Sequence, residues 1–149
     1  MIRKLTAQDK GLFFELVREF YTSDAVAHDI PEDYHIRTFA ELMAGDTYLA
    51  CYILEQANVP CGYCLLNKTW QHEAGGIVLW IEELYIRPEF RSRGLGSELF
   101  AFLETLDHSW LRLEVEPDND GAIRLYQKRG FTFLPYASMV RETDPLFSK

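Results

Sequence analysis

Two segments with the apolar spacing of a helix stand out in the first part of the chain. Residues 9–21 carry apolar side chains at i, i+1, i+4, i+5 and i+8, which share one face of a helix, and Thr6 or Asp9 can cap its start. Residues 36–44 repeat a helical pattern and end at Gly45, a residue suited to the position after a helix. Residues 2–5 predict a first strand, and residues 22–33, which include Pro31 and lack a clear period, predict a loop.

The middle of the chain favours strands. Residues 47–54 and 60–70 predict an antiparallel hairpin, because a turn-like stretch at 56–59 separates them. After a second turn, residues 77–86 predict a long and almost wholly apolar strand. A helix is then expected at 94–106, a strand at 110–116, a helix at 122–129 that ends at Gly130, and two short strands at 131–133 and 138–142.

This order predicts one α/β domain. The unit from residue 77 to residue 116 runs strand, helix, strand, which favours a right-handed parallel crossover. The other strands are joined by short turns and should be antiparallel. We therefore expect a mixed, mostly antiparallel sheet with a parallel strand-helix-strand core and helices on both faces. A length of 149 residues suits a single domain over residues 1–149.

Composition narrows the function classes. The net charge is −8 and no basic stripe is visible, so we expect no nucleic-acid partner, whereas a cationic substrate is compatible. Cys51, Cys61 and Cys64 fit buried thiols better than a zinc site, which needs about four ligands, and the histidines lack metal spacing, so no metal is expected. No apolar run approaches the roughly 20 residues of a membrane span, and no signal peptide is recognised. We expect a cytoplasmic protein without a membrane partner.

Two carboxylates interrupt the apolar strand at 77–86. Glu82 and Glu83 lie between two apolar runs, and a buried carboxylate costs several kcal/mol unless it is paired or solvated. At least one of them should therefore open into a cleft. The structural alternative is a solvated edge, with one glutamate paired to a lysine or arginine. By contrast, the alternating strand at 110–116 places Arg112, Glu114 and Glu116 towards water or a groove, and a solvated face is the favoured interpretation for these three.

A short glycine loop follows the same strand. Arg91-x-x-Gly94-x-Gly96 is too short for a dinucleotide fingerprint and lacks the lysine of a P-loop. A strand that delivers glycines to a helix N-terminus can still hold an anion, because the glycines let the backbone approach and the first helical amides point at the ligand. Arg91 and Arg93 add positive charge to an otherwise acidic chain.

Two blocks of residues resemble the GNAT N-acetyltransferase superfamily. The stretch from Leu84 to Gly96 is similar to its acetyl-CoA motif, whose core is Q/R-x-x-G-x-G/A, and the stretch from Glu116 to Phe131 resembles its later strand-helix-strand segment. The pair of glutamates before the motif and the helix that carries Tyr126 are similar to the polyamine and thialysine branch. The resemblance implies acetyl-CoA as co-substrate and a small, polyamine-like or amino-acid-like amine as acceptor.

The same resemblance implies roles for individual residues. Backbone amides of the loop would bind the CoA pyrophosphate, the strand edge would pair with the pantetheine arm, Asn119 would contact the cofactor, and Tyr126 would lie near the CoA sulfur. The implied cofactor-binding residues are Leu84, Tyr85, Ile86, Arg91, Arg93, Gly94, Leu95, Gly96, Ser97, Asn119 and Tyr126.

The chemistry of amide formation agrees with these roles. The attacking amine must be neutral, and a lysine-like amine has a pKa of about 10.4, so a base or a water chain is useful. Either Glu82 or Glu83 can serve; we lean slightly towards Glu82, and a water relay can replace direct proton abstraction. Only one of the two should line the cleft, because neighbouring strand residues point to opposite faces, although a bulge would change this. Tyr126 can protonate the departing thiolate, and helix packing is its structural alternative.

Three other hypotheses remain open at the level of sequence. One is acetylation of a protein N-terminus or lysine side chain, which a shallow cleft would favour. A second is a non-catalytic acyl-CoA-binding sensor on the same fold, and a third is a purely structural partner domain. Many members of the family dimerise, so a homodimer is also open, although no interface stripe can be identified in the sequence.

Overall fold

The computed structural model describes residues 1–24, 26 and 29–143. The chain divides into two compact units, Met1–Leu113 and Glu114–Lys149. The prediction of a single domain over 1–149 stays a prediction.

The described residues of the first unit form a five-stranded sheet and three α-helices. The strands are β1 (Ile2–Lys4), β2 (Leu49–Gln56), β3 (Val59–Gln71), β4 (Gly76–Ile86) and β5 (Trp110–Leu113). The helices are α1 (Lys10–Tyr21), α2 (Glu32–Ala44) and α3 (Leu95–Leu103). The strands are ordered β1-β2-β3-β4-β5, and every neighbouring pair is antiparallel except β4 and β5, which are parallel. The predicted fold class is confirmed.

Helices cover both faces of this sheet. On one face, apolar residues of α1 and α2 pack against alternate residues of β2, β3 and β4, and this core includes Phe13, Leu16, Phe20, Phe39, Ile53, Tyr63, Leu65 and Tyr85. On the other face lies α3, whose Phe102 ring is 4.8 Å from the Tyr52 ring between centroids. Because strand residues alternate between faces, Tyr52 points away from its core neighbours Cys51 and Ile53. The side covered by α1 and α2 is called the α1 face below.

Several predicted boundaries differ from the structure. Helix α2 begins at Glu32 rather than at residue 36, because Pro31 lies at the N-cap, where a missing N–H costs nothing. Helix α3 ends at Leu103 instead of 106, and β5 ends at Leu113 instead of 116. The second unit contains α4 (Asp120–Lys128), which begins two residues and ends one residue before the predicted helix at 122–129.

The two predicted C-terminal strands are wrong for the residues that the structure describes. No strand occurs at 131–133 or at 138–142. Pro135 follows the first segment and offers no N–H for a ladder. The side chains of Phe133, Met139 and Val140 are exposed. The apolar residues of these two segments therefore did not lead to strand pairing.

Candidate active site

A bulge in β4 lies at the predicted carboxylate pair. On β3, the consecutive residues Leu65 and Leu66 face Glu83 and Ile81 of β4, so Glu82 has no partner in the ladder. This arrangement is a β-bulge, in which one strand carries an extra residue. Beyond the bulge the regular alternation of side chains between the two faces is interrupted.

Both carboxylates lie on the α1 face as a result. Glu83 contacts Tyr63 and Tyr21, which belong to this face or to the end of α1. Glu82 accepts a hydrogen bond from the side-chain amide of Asn67 at 2.5 Å. Asn67 is two residues beyond Leu65 on β3 and so points to the same face. The two glutamates share a face because the bulge interrupts the alternation, the case that the sequence analysis allowed for.

Glu83 is buried and held by two phenols. The Tyr63 hydroxyl donates to Oε2 at 2.6 Å and the Tyr21 hydroxyl donates to Oε1 at 2.5 Å, while the residue is only 9% exposed. Burial raises the pKa of Glu83, and the two phenol hydrogen bonds oppose that rise. Burial, followed by the neighbouring charge of Glu83, also raises the pKa of both tyrosines. Glu83 is therefore a fixed, internally satisfied carboxyl group.

Glu82 is the accessible carboxylate of the pair. Its side chain is exposed, and Asn67 holds one of its oxygens. Among the described residues, neither Glu82 nor Glu83 forms an ion pair with a lysine or arginine. The structural alternative of a salt-bridged edge is thus not what this part of the chain adopts. An oriented, solvent-facing carboxylate can accept a proton from a bound ammonium group.

One aromatic ring at the junction of α1 and α2 contacts Glu83, and a second ring packs against the first. The Tyr21 ring at the end of α1 lies 5.2 Å from the ring of His35 in α2, measured between centroids. His35 is buried, and Tyr21 is half-buried. The junction of α1 and α2 therefore borders the same region as the bulge.

A row of side chains extends from this region across the sheet. Trp80 of β4 faces Asn67 of β3 on one side and Arg112 of β5 on the other. The guanidinium carbon of Arg112 lies 3.9 Å from the centroid of the Trp80 ring. All three side chains are half-buried, so the row is open to solvent where the core residues of α1 no longer cover the sheet.

Among the residues that the structure describes, the edge of β4 beyond the bulge has no strand partner on the β5 side. Strand β5 pairs with β4 only over Val78–Ile81. The amide of Arg87 donates to the carbonyl of Cys61 on β3, and because hydrogen-bonded and non-hydrogen-bonded pairs alternate, Leu84 and Ile86 direct their backbone groups away from β3. The Arg91 side chain donates to the carbonyl of Ile86 at 2.8 Å, as this direction requires. An extended ligand can therefore pair with this edge.

The loop after β4 has the backbone that its glycines predict. A single turn of 3₁₀ helix, Pro88–Phe90, is followed by Ser92 and Gly94 with φ of 60° and 86°, and α3 begins at Leu95. In the left-handed region a glycine avoids the strain that a side chain would bring. The first amides of α3, which include Leu95 and Gly96, lack a helical carbonyl four residues back, as at any helix start.

Two arginines flank this loop. Arg91 lies 6.0 Å from the centroid of the Tyr85 ring, and Arg93 lies 5.3 Å from that of Phe90 and donates to the side-chain oxygen of Gln56 at 3.1 Å. Both arginines are exposed. Together with the helix start they form a positively charged, amide-rich loop that suits a phosphate group.

An ion-pair cluster that the sequence did not predict anchors this end of β4 to α1. Arg87 donates two hydrogen bonds to Glu19, at 3.0 and 2.8 Å, and also pairs with Glu15. A further hydrogen bond reaches the carbonyl of Pro60 at 3.2 Å. The hydrogen bonds from Arg87 lower the pKa of Glu19. Because the partners are far apart in sequence, no local pattern indicated this cluster.

The second unit carries the remaining predicted site residues. The side chain of Asn119 accepts a hydrogen bond from the amide of Ala122 at 3.2 Å and so caps α4. Tyr126 lies on α4, with its ring 5.8 Å from that of Phe131, and burial raises its pKa. The roles of Asn119 and Tyr126 towards a cofactor stay predictions.

The described residues offer neither a metal site nor a membrane-spanning helix. Across residues 1–24, 26 and 29–143, no group of three or more His, Cys, Asp or Glu side chains could hold a metal ion. None of the helices in the same residues is long and apolar enough to cross a membrane.

Comparison with known proteins agrees with the fold and the loop. Residues 12–131 match the Acetyltransferase (GNAT) family. An uncharacterised N-acetyltransferase encoded in the pepI 3′ region of Lactobacillus delbrueckii subsp. lactis is 38% identical, over 99% of this chain and 95% of that protein. The thialysine N-epsilon-acetyltransferase of Bos taurus is 26% identical, over 87% of this chain and 82% of that protein.

A solved structure shows the same fold. The crystal structure of a possible acetyltransferase from Clostridium difficile 630 superposes with a TM-score of 0.81 at 17% identity, covering 97% of each chain. With the family match over most of the sequence, the chain belongs to the GNAT family. It is an acetyl-CoA-dependent N-acetyltransferase of the GNAT type.

Proposed function

We propose that the protein transfers an acetyl group from acetyl-CoA to the primary amine of a small molecule, polyamine-like or amino-acid-like, by direct attack of the amine on the thioester. The observation that carries this proposal is the bulge in β4. It brings Glu82 and Glu83 to one face of the sheet, beside a strand edge that has no partner in the described part of the chain. A cationic acceptor also suits the net charge of −8.

The residues of the first unit suit acetyl-CoA. An extended pantetheine arm can pair with the backbone of Leu84 and Ile86, and the loop with its helix start suits the pyrophosphate. Gly94 gives that loop its left-handed turn. Bound acetyl-CoA supplies the activated acetyl group and a thiolate as leaving group. From the family resemblance we assign the donor side to Leu84, Tyr85, Ile86, Arg91, Arg93, Gly94, Leu95, Gly96, Ser97 and Asn119.

Glu82 is proposed to receive the proton that the acceptor must lose. A lysine-like ammonium has a pKa of about 10.4 and cannot attack until it is neutral. Glu82 is exposed and oriented by Asn67, so it can take the proton directly or through a water molecule. Glu83 is already hydrogen bonded to two tyrosines, so we assign it a positioning role that holds the bulge in place.

Tyr126 is proposed to return a proton to the sulfur. The amine nitrogen bonds to the acetyl carbon, the carbon–sulfur bond breaks, and the phenol protonates the thiolate. This assignment rests on the resemblance of the α4 segment to the family. Placement of the acceptor and the donor beside each other supplies the larger part of the rate enhancement in such a reaction.

A panel of amines tests the proposal against its alternatives. Release of the CoA thiol is followed with spermidine, lysine analogues, aminoglycosides and peptides in parallel. Turnover confined to peptides would favour a protein N-acetyltransferase. Micromolar binding of acetyl-CoA in a calorimetric titration without turnover of any amine would favour an acyl-CoA sensor, and no binding would leave a structural domain. The cytoplasmic location and a homodimer also stay predictions.

A further inference from the structure

Arg112 is a cation on the acceptor side of the sheet. Its guanidinium lies against the Trp80 ring, 3.9 Å from the centroid, and the side chain is half-buried. Within the part of the chain that the structure describes, it has neither a hydrogen bond nor an ion pair, whereas Arg3, Arg18 and Arg87 each pair with a carboxylate. Stacking on an aromatic face leaves the in-plane N–H groups of a guanidinium available to a ligand.

Arg112 shares its face with the proposed acceptor carboxylate. Trp80 connects the two, because it faces Arg112 across β5 and Asn67 across β3, and Asn67 donates to Glu82. Arg112 and Glu82 are on neighbouring strands and offset by two positions, which puts their Cα atoms about 8 Å apart at ordinary strand rise and spacing. A negative and a positive side chain therefore flank one open stretch of the sheet.

This pair of charges matches a zwitterionic ligand. We infer that the acceptor carries a carboxylate as well as the reacting amine, and that Arg112, held on Trp80, binds this carboxylate as a specificity-determining residue. The inference rests on the proposed function and chooses the amino-acid-like class over the polyamine-like class. A guanidinium binds a carboxylate through two parallel hydrogen bonds.

The separation also bears on which amine reacts. A side-chain amine lies further from its carboxylate than an α-amine does, so it spans a wider gap between Glu82 and Arg112. An amine at the end of a side chain can reach both. The acceptor class is therefore a diamino acid that is acetylated on its side-chain amine. A polyamine would instead bring a second cation towards Arg112, which like-charge repulsion disfavours.

A matched pair of substrates tests this inference. L-lysine and cadaverine differ only by the carboxylate, so the ratio of their kcat/KM values reports on carboxylate binding. Wild type should prefer lysine by about 10- to 100-fold, the range expected for one charge-assisted interaction. This preference runs against the net negative charge of the protein, which attracts doubly charged cadaverine more strongly than lysine. Arg112→Gln should bring the ratio close to one by raising KM for lysine.

The control variants separate charge, geometry and folding. Arg112→Lys keeps the charge but loses the two-pronged donor, so its ratio should fall between those of wild type and Arg112→Gln. Arg37→Gln removes another arginine that stacks on a ring, 4.6 Å from the Tyr34 centroid, but lies on α2 and pairs with Asp33, so the ratio should stay that of wild type. Thermal unfolding of each variant checks that it is folded.

The outcomes distinguish this inference from the proposed function. A wild-type enzyme that prefers cadaverine or spermidine, or an Arg112→Gln variant that keeps the lysine preference, overturns the inference and leaves small-amine acetylation intact. Absence of turnover with every amine overturns both. If Arg112→Gln is unfolded, titration of CoA-saturated wild type with lysine and with cadaverine decides, because equal or weaker binding of lysine contradicts the inference.

Discussion

The Tyr63 hydroxyl donates a 2.6 Å hydrogen bond to Glu83, the residue that follows the bulge in β4. Tyr63 lies in the buried core between β3 and α1, so this contact ties the floor of the candidate site to the packing of the whole α1 face. With Tyr21 on the second oxygen, Glu83 is satisfied without a cation.

Tyr63→Phe should destabilise the protein. The substitution leaves one oxygen of a buried carboxyl group without its donor, and such a group costs about 1–3 kcal/mol. Urea unfolding should report a lower unfolding free energy with an unchanged slope. Tyr52→Phe is the control, since Tyr52 is a half-buried tyrosine on the neighbouring strand that packs on Phe102 without a hydrogen-bonded carboxylate. Equal losses in the two variants would refute the role of the Tyr63 hydroxyl.

Glu83 should make the protein less stable as the pH rises. Burial raises the pKa of Glu83 in the folded state, so the folded chain holds this proton more tightly than the unfolded chain. Stability is then lost as the pH rises from the unfolded value of about 4.3 through the folded pKa. Glu83→Gln cannot lose this proton, so the difference in Tm between the variant and wild type should shift in favour of the variant as pH increases from 4 to 8. A difference that does not change with pH contradicts the raised pKa.

Gly94→Ala should weaken acetyl-CoA binding. Gly94 has φ of 86°, and an L side chain in this region costs about 1–2 kcal/mol, although no neighbouring atom would clash with it. Relief of that strain would turn the amides of the loop away from the pyrophosphate. Calorimetric titration should show a Kd for acetyl-CoA raised about tenfold or more. Gly11→Ala in α1 also meets no neighbour but has helical geometry, and its Kd should remain that of wild type.

Tyr126→Phe separates binding from turnover. The ring and its packing on Phe131 are retained, so the Kd for acetyl-CoA should stay near the wild-type value. Loss of the phenol should lower kcat about 10²- to 10⁴-fold, the ordinary contribution of a general acid. Unchanged turnover would show that Tyr126 only packs in its helix.

The sequence predicted the fold and the neighbourhood of the site better than the details of either. Glu82 and Glu83 were detectable because charge interrupts an apolar run, and the loop was detectable because its glycines precede a helix. The shared face of the two glutamates could not be detected in this way, because a bulge depends on how two strands pair rather than on either strand alone.

The sequence also did not predict contacts between residues that are far apart along the chain. Tyr63 and Asn67 lie in a stretch that predicts only a strand, and their contacts with the glutamates arise from β3 pairing with β4. Arg112 fitted a solvated face, and only the register of β5 brings it to Trp80. The C-terminal strands failed for the same reason, since an apolar segment becomes a strand only where a partner is available.

The central claim is that Glu82 activates a small amine for acetyl transfer, and one comparison tests it most directly. Thiol release from acetyl-CoA is measured for wild type and Glu82→Gln with the preferred amine between pH 6 and 10. The account predicts amine-dependent release by wild type, a loss of about 10²-fold or more in the variant near pH 7, and partial recovery at high pH as the free amine loses its own proton. Equal rates for the two proteins across this range would contradict it.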